Sequence, residues 1–198
     1  MRHNPGTRSY GEPSGSVDPS RMDRDPFVGR FGDIFEHSAW IAERAYDAGL
    51  GPTSDTAAGL CAAFVRVFRA SSEEECLAVL RAHPDLAGKL AAARLLTESS
   101  AREQAGAGLD AMSESERARF RDLNDRYTAR FGFPFIMAVK GQSRDAILAA
   151  FEARVGNDPE EEFATACREV ERIAAFRLAS LLPARPAAPH SPSEGFQP

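Results

Sequence analysis

Cysteine is scarce: Cys61, Cys76 and Cys167 are odd in number and widely spaced, which excludes a disulfide framework. No CxxC or HExxH pattern occurs, so no metal site is expected. Free cysteine is usually buried, and all three are expected as small apolar side chains of the interior. No window approaches the roughly 20 apolar residues of a membrane span. The first 25 residues lack the apolar core of a secretory signal, and the terminal SEGFQP is not a peroxisomal or retention address. The expectation is a cytoplasmic protein with no membrane partner. Positive charge is also in deficit. A net charge of −5 argues against nucleic acid as a partner, which calls for a basic surface. Strand signals are nearly missing: Phe131, Phe133 and Phe135 alternate over only five residues and read as an extended linker.

What remains is a helical chain. Its 198 residues, 43% of them hydrophobic, suffice for one domain with a proper core. Residues 1–25, rich in Gly, Pro, Ser, Arg and Asp, are expected as a disordered leader, and the Pro-rich residues 183–198 as a disordered tail. His3 and His190 fall in these tails. The folded unit is then 26–182, an all-α, single-domain bundle of about eight helices. Apolar spacing predicts a helix over 31–50, closed by Gly49 and Gly51, and a second over 53–70. Ser72 and Glu75 form a capping-box pattern for 71–82. Asp85 can cap a short helix through Ala93. Ser100 and Glu103 repeat the box spacing for a helix toward Ala107, and Ser113 and Glu116 for one to Arg130. Ser143 starts a helix through Val155. Asp158-Pro159 opens the last, to Leu182.

Candidate chemistry gathers at breaks in this pattern. In RAHPDLAGKLA (81–91), His83 precedes Pro84, which pushes it out of the α region and lets the imidazole point into a cleft. Histidine titrates nearest physiological pH, so His83 is a candidate acid or base. In the last helix Phe163, Cys167, Val170, Ala174, Arg177 and Leu181 share one stripe, which places Arg177 on an apolar face. A buried guanidinium must be paired. It is either an internal salt bridge or a clamp for an anionic or imide-like ligand edge. Glu103 and Gln104 are either a capping-box acid with a solvated neighbour, or groups facing a cleft with His83. His37, read as lying within the first helix beside Trp40, is at best a supporting residue. FGFPFIMAVKG (131–141) is too apolar for a simple surface loop. It is either a core-filling linker or a pocket wall that offers backbone groups to a planar polar ligand.

The runs FEHSAWIAERA (35–45), RAHPDLAGKLA (81–91), SSAREQAGAGLD (99–110), ARFGFPFIMAVKG (129–141), ILAAFEARVGND (147–158) and EVERIAAFRL (169–178) span nearly the whole folded unit in order. Together they resemble the 2-oxo-4-hydroxy-4-carboxy-5-ureidoimidazoline (OHCU) decarboxylase family of urate degradation. The resemblance implies an all-α bundle, often a homodimer, that decarboxylates a small-molecule ureidoimidazoline acid to (S)-allantoin without a cofactor. It implies that His83 is the catalytic histidine. It also implies substrate contacts from Pro84, Ser100, Glu103, Gln104, the backbone of Phe135, Ile136, Met137, Ala138 and Val139, and Arg177. In the expected division of labour Glu103 orients the substrate, Arg177 and Gln104 fix the ring, and His83 delivers a proton as general acid. Neighbouring amides and Arg177 would lower the His83 pKa and Glu103 would raise it. The competing expectation is a non-catalytic helical module that binds an allantoin- or purine-like ligand; a weaker one is an enzyme for another ureido or hydantoin-like acid.

Overall fold

The structure, a computed structural model, describes residues 17–86 and 97–182. Eight α-helices lie among the described residues: α1 (Arg24–Phe31), α2 (Trp40–Asp47), α3 (Ala57–Arg69), α4 (Glu73–Ala82), α5 (Glu98–Gly106), α6 (Glu114–Phe131), α7 (Arg144–Arg154) and α8 (Pro159–Leu181). They are not the eight expected. Of the helix expected over 31–50 only α2 is α-helical: α1 ends at Phe31, and a 3-10 turn at Gly32–Ile34 and an irregular stretch fill the space before Trp40. His37 there has φ +49, so it cannot belong to a helix. The chain turns because Phe35 and Glu36 both go inward while His37 faces solvent. The short helix expected after Asp85 falls largely on residues 87–96, outside the described residues, as do residues 1–16 of the expected leader and the tail 183–198. Residues 17–25, placed in that leader, instead pack on the domain. Pro19 is buried, Ser20 bonds Asp55 through its amide and hydroxyl at 2.8 and 2.9 Å, and α1 begins at Arg24.

The helix starts follow local chemistry. Ser72–Glu75 and Ser113–Glu116 are reciprocal capping boxes, each acid accepting the amide of its serine. Ser143 and Asp158 cap α7 and α8 as their positions suggest. Ser100 does not cap. Thr97 takes that place, accepting the Ser100 amide at 3.3 Å, and Ser100 lies inside α5. Gly132 ends α6 in the left-handed region at φ +76, where a side chain would be strained.

Helix α8 is the axis. α3, α4 and α6 pack against it, and α7 packs on α6. One continuous core results, with aromatic rings at both ends. Phe27, Phe31, Phe35, Phe64 and Phe68 fill one, and Phe120, Tyr127, Phe133, Phe135 and Phe151 fill the other. Cys76 is buried as expected, while Cys61 and Cys167 are only partly covered. On α8 the buried face carries Ala166, Val170, Ile173, Ala174 and Leu178, and also Glu162 and Arg177; Leu181, expected on the apolar stripe, is exposed. The two buried ionic residues on this axis, Glu162 and Arg177, each hold together a region that side-chain periodicity alone does not explain.

Candidate active site

α4 ends at His83, whose extended backbone (φ −72, ψ 138) turns the chain away from the helix axis. Its amide bonds the Leu80 carbonyl at 3.2 Å, and its ring Nδ1 lies 2.9 Å from the Val79 carbonyl. A carbonyl can only accept, so Nδ1 carries the proton and Nε2 keeps its lone pair in the neutral ring. Nε2 is buried and has no hydrogen-bond partner among the described residues. Burial pulls the His83 pKa below the ordinary histidine value; the Val79 bond and the Glu36 charge oppose this, and the Arg177 charge reinforces it. The resting imidazole is therefore neutral at pH 7, with a base aimed at a cleft.

The cleft has about 30 Å³ of free space and is lined by His83, Pro84, Leu86, Ser100, Glu103, Gln104, Phe135, Ile136, Met137, Val139, Ile173 and Arg177. The sequence candidates thus converge from α4, α5, α8 and the 132–139 segment. Ala138 is the exception: it faces an adjoining hollow of about 550 Å³. That hollow shares Glu103, Val139, Ile173 and Arg177 with the cleft. The cleft alone holds about one or two waters, so a ligand of ring size reaches into the shared space. Two struts hold the mouth. Gln104 Nε2 donates to the Asp85 carbonyl at 3.4 Å and Asn124 Nδ2 to the Leu86 carbonyl at 2.9 Å. Arg81, two residues before His83, donates to the Gly132 carbonyl at 3.0 Å, tying α4 to the start of the facing wall.

Arg177 is both buried and paired. Its Nε and Nη2 donate to the two oxygens of Glu103 at 2.8 and 2.9 Å, a bidentate pair. Nη2 also reaches Ser100 Oγ at 3.2 Å, and Nη1 reaches Glu36 Oε2 at 2.9 Å and the Ile34 carbonyl at 3.3 Å. All five guanidinium N–H groups thereby have protein acceptors. Arg177 is thus the internal salt bridge of its two expected readings, and it holds Glu103 while lining the cleft. Glu103 in turn is no capping-box acid, because both its oxygens face Arg177.

Glu36 escaped the sequence reading. It is 2% exposed, accepts from Thr97 Oγ1 at 2.6 Å and from Ser100 Oγ at 3.0 Å, and pairs with Arg177. Burial pushes its pKa up, but the Thr97 bond and the Arg177 charge outweigh this and leave it below the ordinary carboxylate value. The signal was present in the demand of Arg177 for a buried acid, with Glu36 lying in the otherwise apolar run Ile34-Phe35-Glu36. His37 beside it is exposed and plays no part in the site. Two carboxylates against one guanidinium give the cluster a formal charge of −1.

A helical domain whose cleft holds a buried imidazole nitrogen, without a partner among the described residues, and an anchored carboxylate carries acid–base groups of the kind found in enzymes for small polar ligands. The profile of one family, OHCU decarboxylase, matches residues 20–179. The chain belongs to the OHCU decarboxylase family. It is 46% identical over 160 residues to 2-oxo-4-hydroxy-4-carboxy-5-ureidoimidazoline decarboxylase of Haloferax volcanii, covering 81% of this chain and 91% of that one. Among solved structures, (S)-allantoin synthase superposes with a TM-score of 0.64 at 32% identity, over 82% of this chain and 52% of that chain. An OHCU decarboxylase crystallised in the presence of (S)-allantoin superposes at 0.60 with 22% identity, over 75% of this chain and 94% of that one, a likeness of fold.

Proposed function

We propose that this cleft is where the chain decarboxylates 2-oxo-4-hydroxy-4-carboxy-5-ureidoimidazoline to (S)-allantoin, with His83 as the proton-transfer group. The observation that carries this is the lone, buried Nε2 facing the same space as Glu103 in a member of this family. The substrate's C4 bears the hydroxyl and the carboxylate, and C5 bears the ureido group and a double bond to a ring nitrogen. The C4–carboxylate bond breaks and its pair becomes the C4–C5 π bond. The former C5–N π pair moves to nitrogen, which takes one proton from solvent. His83 Nε2 then takes the C4 hydroxyl proton as C4=O forms, and returns a proton to C5. The protons balance: one is taken up per CO₂ released. His83 thus acts first as base and then as acid, because its depressed pKa leaves it no Nε2 proton to give at the outset. The ring itself is the electron sink.

Glu103, held by Arg177, accepts from ureido or ring N–H groups. Ser100, Gln104, Pro84 and the backbone from Phe135 to Val139 frame the ring. Of that backbone, the Ala138 amide already bonds Glu169 and the Ile136 carbonyl already bonds Arg154. The amides of Ile136, Met137 and Val139, which have no partner among the described residues, are the ones offered to the ligand. Delivery of the C5 proton from one side makes a single enantiomer. A cytoplasmic homodimer is part of the same proposal and rests on the family resemblance; light scattering at assay concentration tests the dimer.

The decisive assay generates the substrate from urate with upstream enzymes and follows allantoin by circular dichroism. The protein is expected to raise the (S) signal well above spontaneous decay; binding of allantoin with no acceleration would mark the non-catalytic module instead. The pH profile follows from the His83 shift. With a pKa below the free value of about 6.5, kcat/KM should be flat from pH 8 to 7 and fall only below that value, as Nε2 becomes protonated. An acid limb centred above pH 7 would contradict the neutral base.

A further inference from the structure

The wall that faces His83 is not helical, and two side chains outside the cleft fix its backbone. Arg154, the last residue of α7, donates from Nη1 to the Ile136 carbonyl at 2.9 Å. Its Nε donates to Glu162 at 2.9 Å, and its guanidinium lies over the Phe135 ring at 4.5 Å. Glu162 is wholly buried and is held further by Tyr127 and, at 2.7 Å, by Asn157. Phe135 stacks on Phe151 with centroids 3.9 Å apart. Two residues after Ile136, the Ala138 amide donates to Glu169 of α8 at 2.8 Å. One carbonyl and one amide are therefore held from behind, on either side of Met137. Ile136, Met137 and Val139 face the cleft.

We propose that Arg154 and Glu169 are positioning residues for this site. By fixing the Ile136 carbonyl and the Ala138 amide, they set the direction of the neighbouring peptide groups that meet the ligand ring. Neither side chain lines the cleft. The assignment rests on the proposed function only in taking this cleft as the place where the ligand ring binds. A buried ion pair whose only task is stability would not need to spend a donor on the loop carbonyl, and Glu169 has Arg172 available on its own helix at 2.7 Å.

The test compares Glu169→Ala, Glu169→Gln and Arg154→Lys in the full chain, reading (S)- and (R)-allantoin affinity by calorimetry, kcat and KM by circular dichroism, and melting temperature. Glu169→Ala releases the Ala138 amide and is expected to weaken (S)-allantoin binding and raise KM by about tenfold, with kcat within about twofold. It should also narrow the preference between enantiomers. Glu169→Gln keeps an acceptor oxygen and should restore all three readings. Arg154→Lys loses the planar fork that spans Glu162 and the Ile136 carbonyl and should act in the same direction while also melting earlier. Wild-type affinity, KM and enantiomer preference in Glu169→Ala overturn the proposal, whatever happens to its melting temperature. Because affinity needs no turnover, an inactive wild type that binds (S)-allantoin and loses that binding in Glu169→Ala would sink the decarboxylase reading and leave the positioning role standing.

Discussion

His83→Ala is expected to lower kcat by about 10²–10⁴-fold, the usual contribution of general acid–base catalysis, and to leave product without a preferred hand. Both effects come from one nitrogen. Nε2 is the one buried base in the cleft without a partner among the described residues. Glu103 cannot replace it, because both of its oxygens are engaged by Arg177. Residual turnover should resemble spontaneous decay, in which solvent protonates either face of C5. The variant also leaves the buried Val79 carbonyl without its Nδ1 partner, at a cost of about 1–3 kcal/mol, so its melting temperature should fall as well. His83→Asn offers a second reading: its amide can still bond a backbone carbonyl but supplies no base at pH 7. Circular dichroism of the product, corrected for the uncatalysed rate, reads rate and hand together. Full rate with full (S) purity in both variants would remove His83 from the chemistry.

Arg177→Met should cost about 3–5 kcal/mol of stability, the range for removing one partner of a buried ion pair, and the loss should depend on pH. In the wild type the Glu36 pKa is depressed, so its contribution is present above the unfolded value and is lost as pH falls through the folded one. Without the guanidinium, burial dominates and raises the pKa instead. The sign then reverses: the folded variant prefers a protonated Glu36, and it loses stability as pH rises. Urea midpoints of variant and wild type should thus differ most near pH 8 and converge toward pH 4. Adding Glu36→Gln to Arg177→Met should recover part of the loss, since Thr97 and Ser100 can still bond the amide. A loss independent of pH, or no recovery in the double variant, would mean that Arg177 is valued for packing and not for charge.

The main candidates were legible because each broke a local pattern. His83 interrupts a helix at a proline, Arg177 interrupts an apolar stripe, and the glycine and proline near 132–135 interrupt an apolar run. Capping was legible where one box spacing stood alone, as at Ser113. It failed at Ser100, where Thr97 offered a second cap three residues earlier. The choice fell to Thr97 because Ser100 Oγ is used by Glu36 and Arg177, partners more than sixty residues distant. Glu36 and Glu162 were missed for a related reason. An acid inside a helical-looking run reads as a solvated face, and only the distant arginine shows that it is buried. The break before α2 was hidden because a lone histidine reads as an ordinary helical residue, although it tolerates positive φ better than most side chains.

Pro84 contributes no polar side chain to the cleft, yet it decides where the proton of its neighbour sits. By disfavouring the α region at His83 it diverts that residue's amide to Leu80, so the Val79 carbonyl loses the partner a continuing helix would have supplied. The imidazole takes up the vacancy through Nδ1 and must present its other nitrogen bare. The basicity of the site is in this sense a by-product of how one helix is stopped: a ring with no exchangeable hydrogen selects the tautomer of the ring beside it.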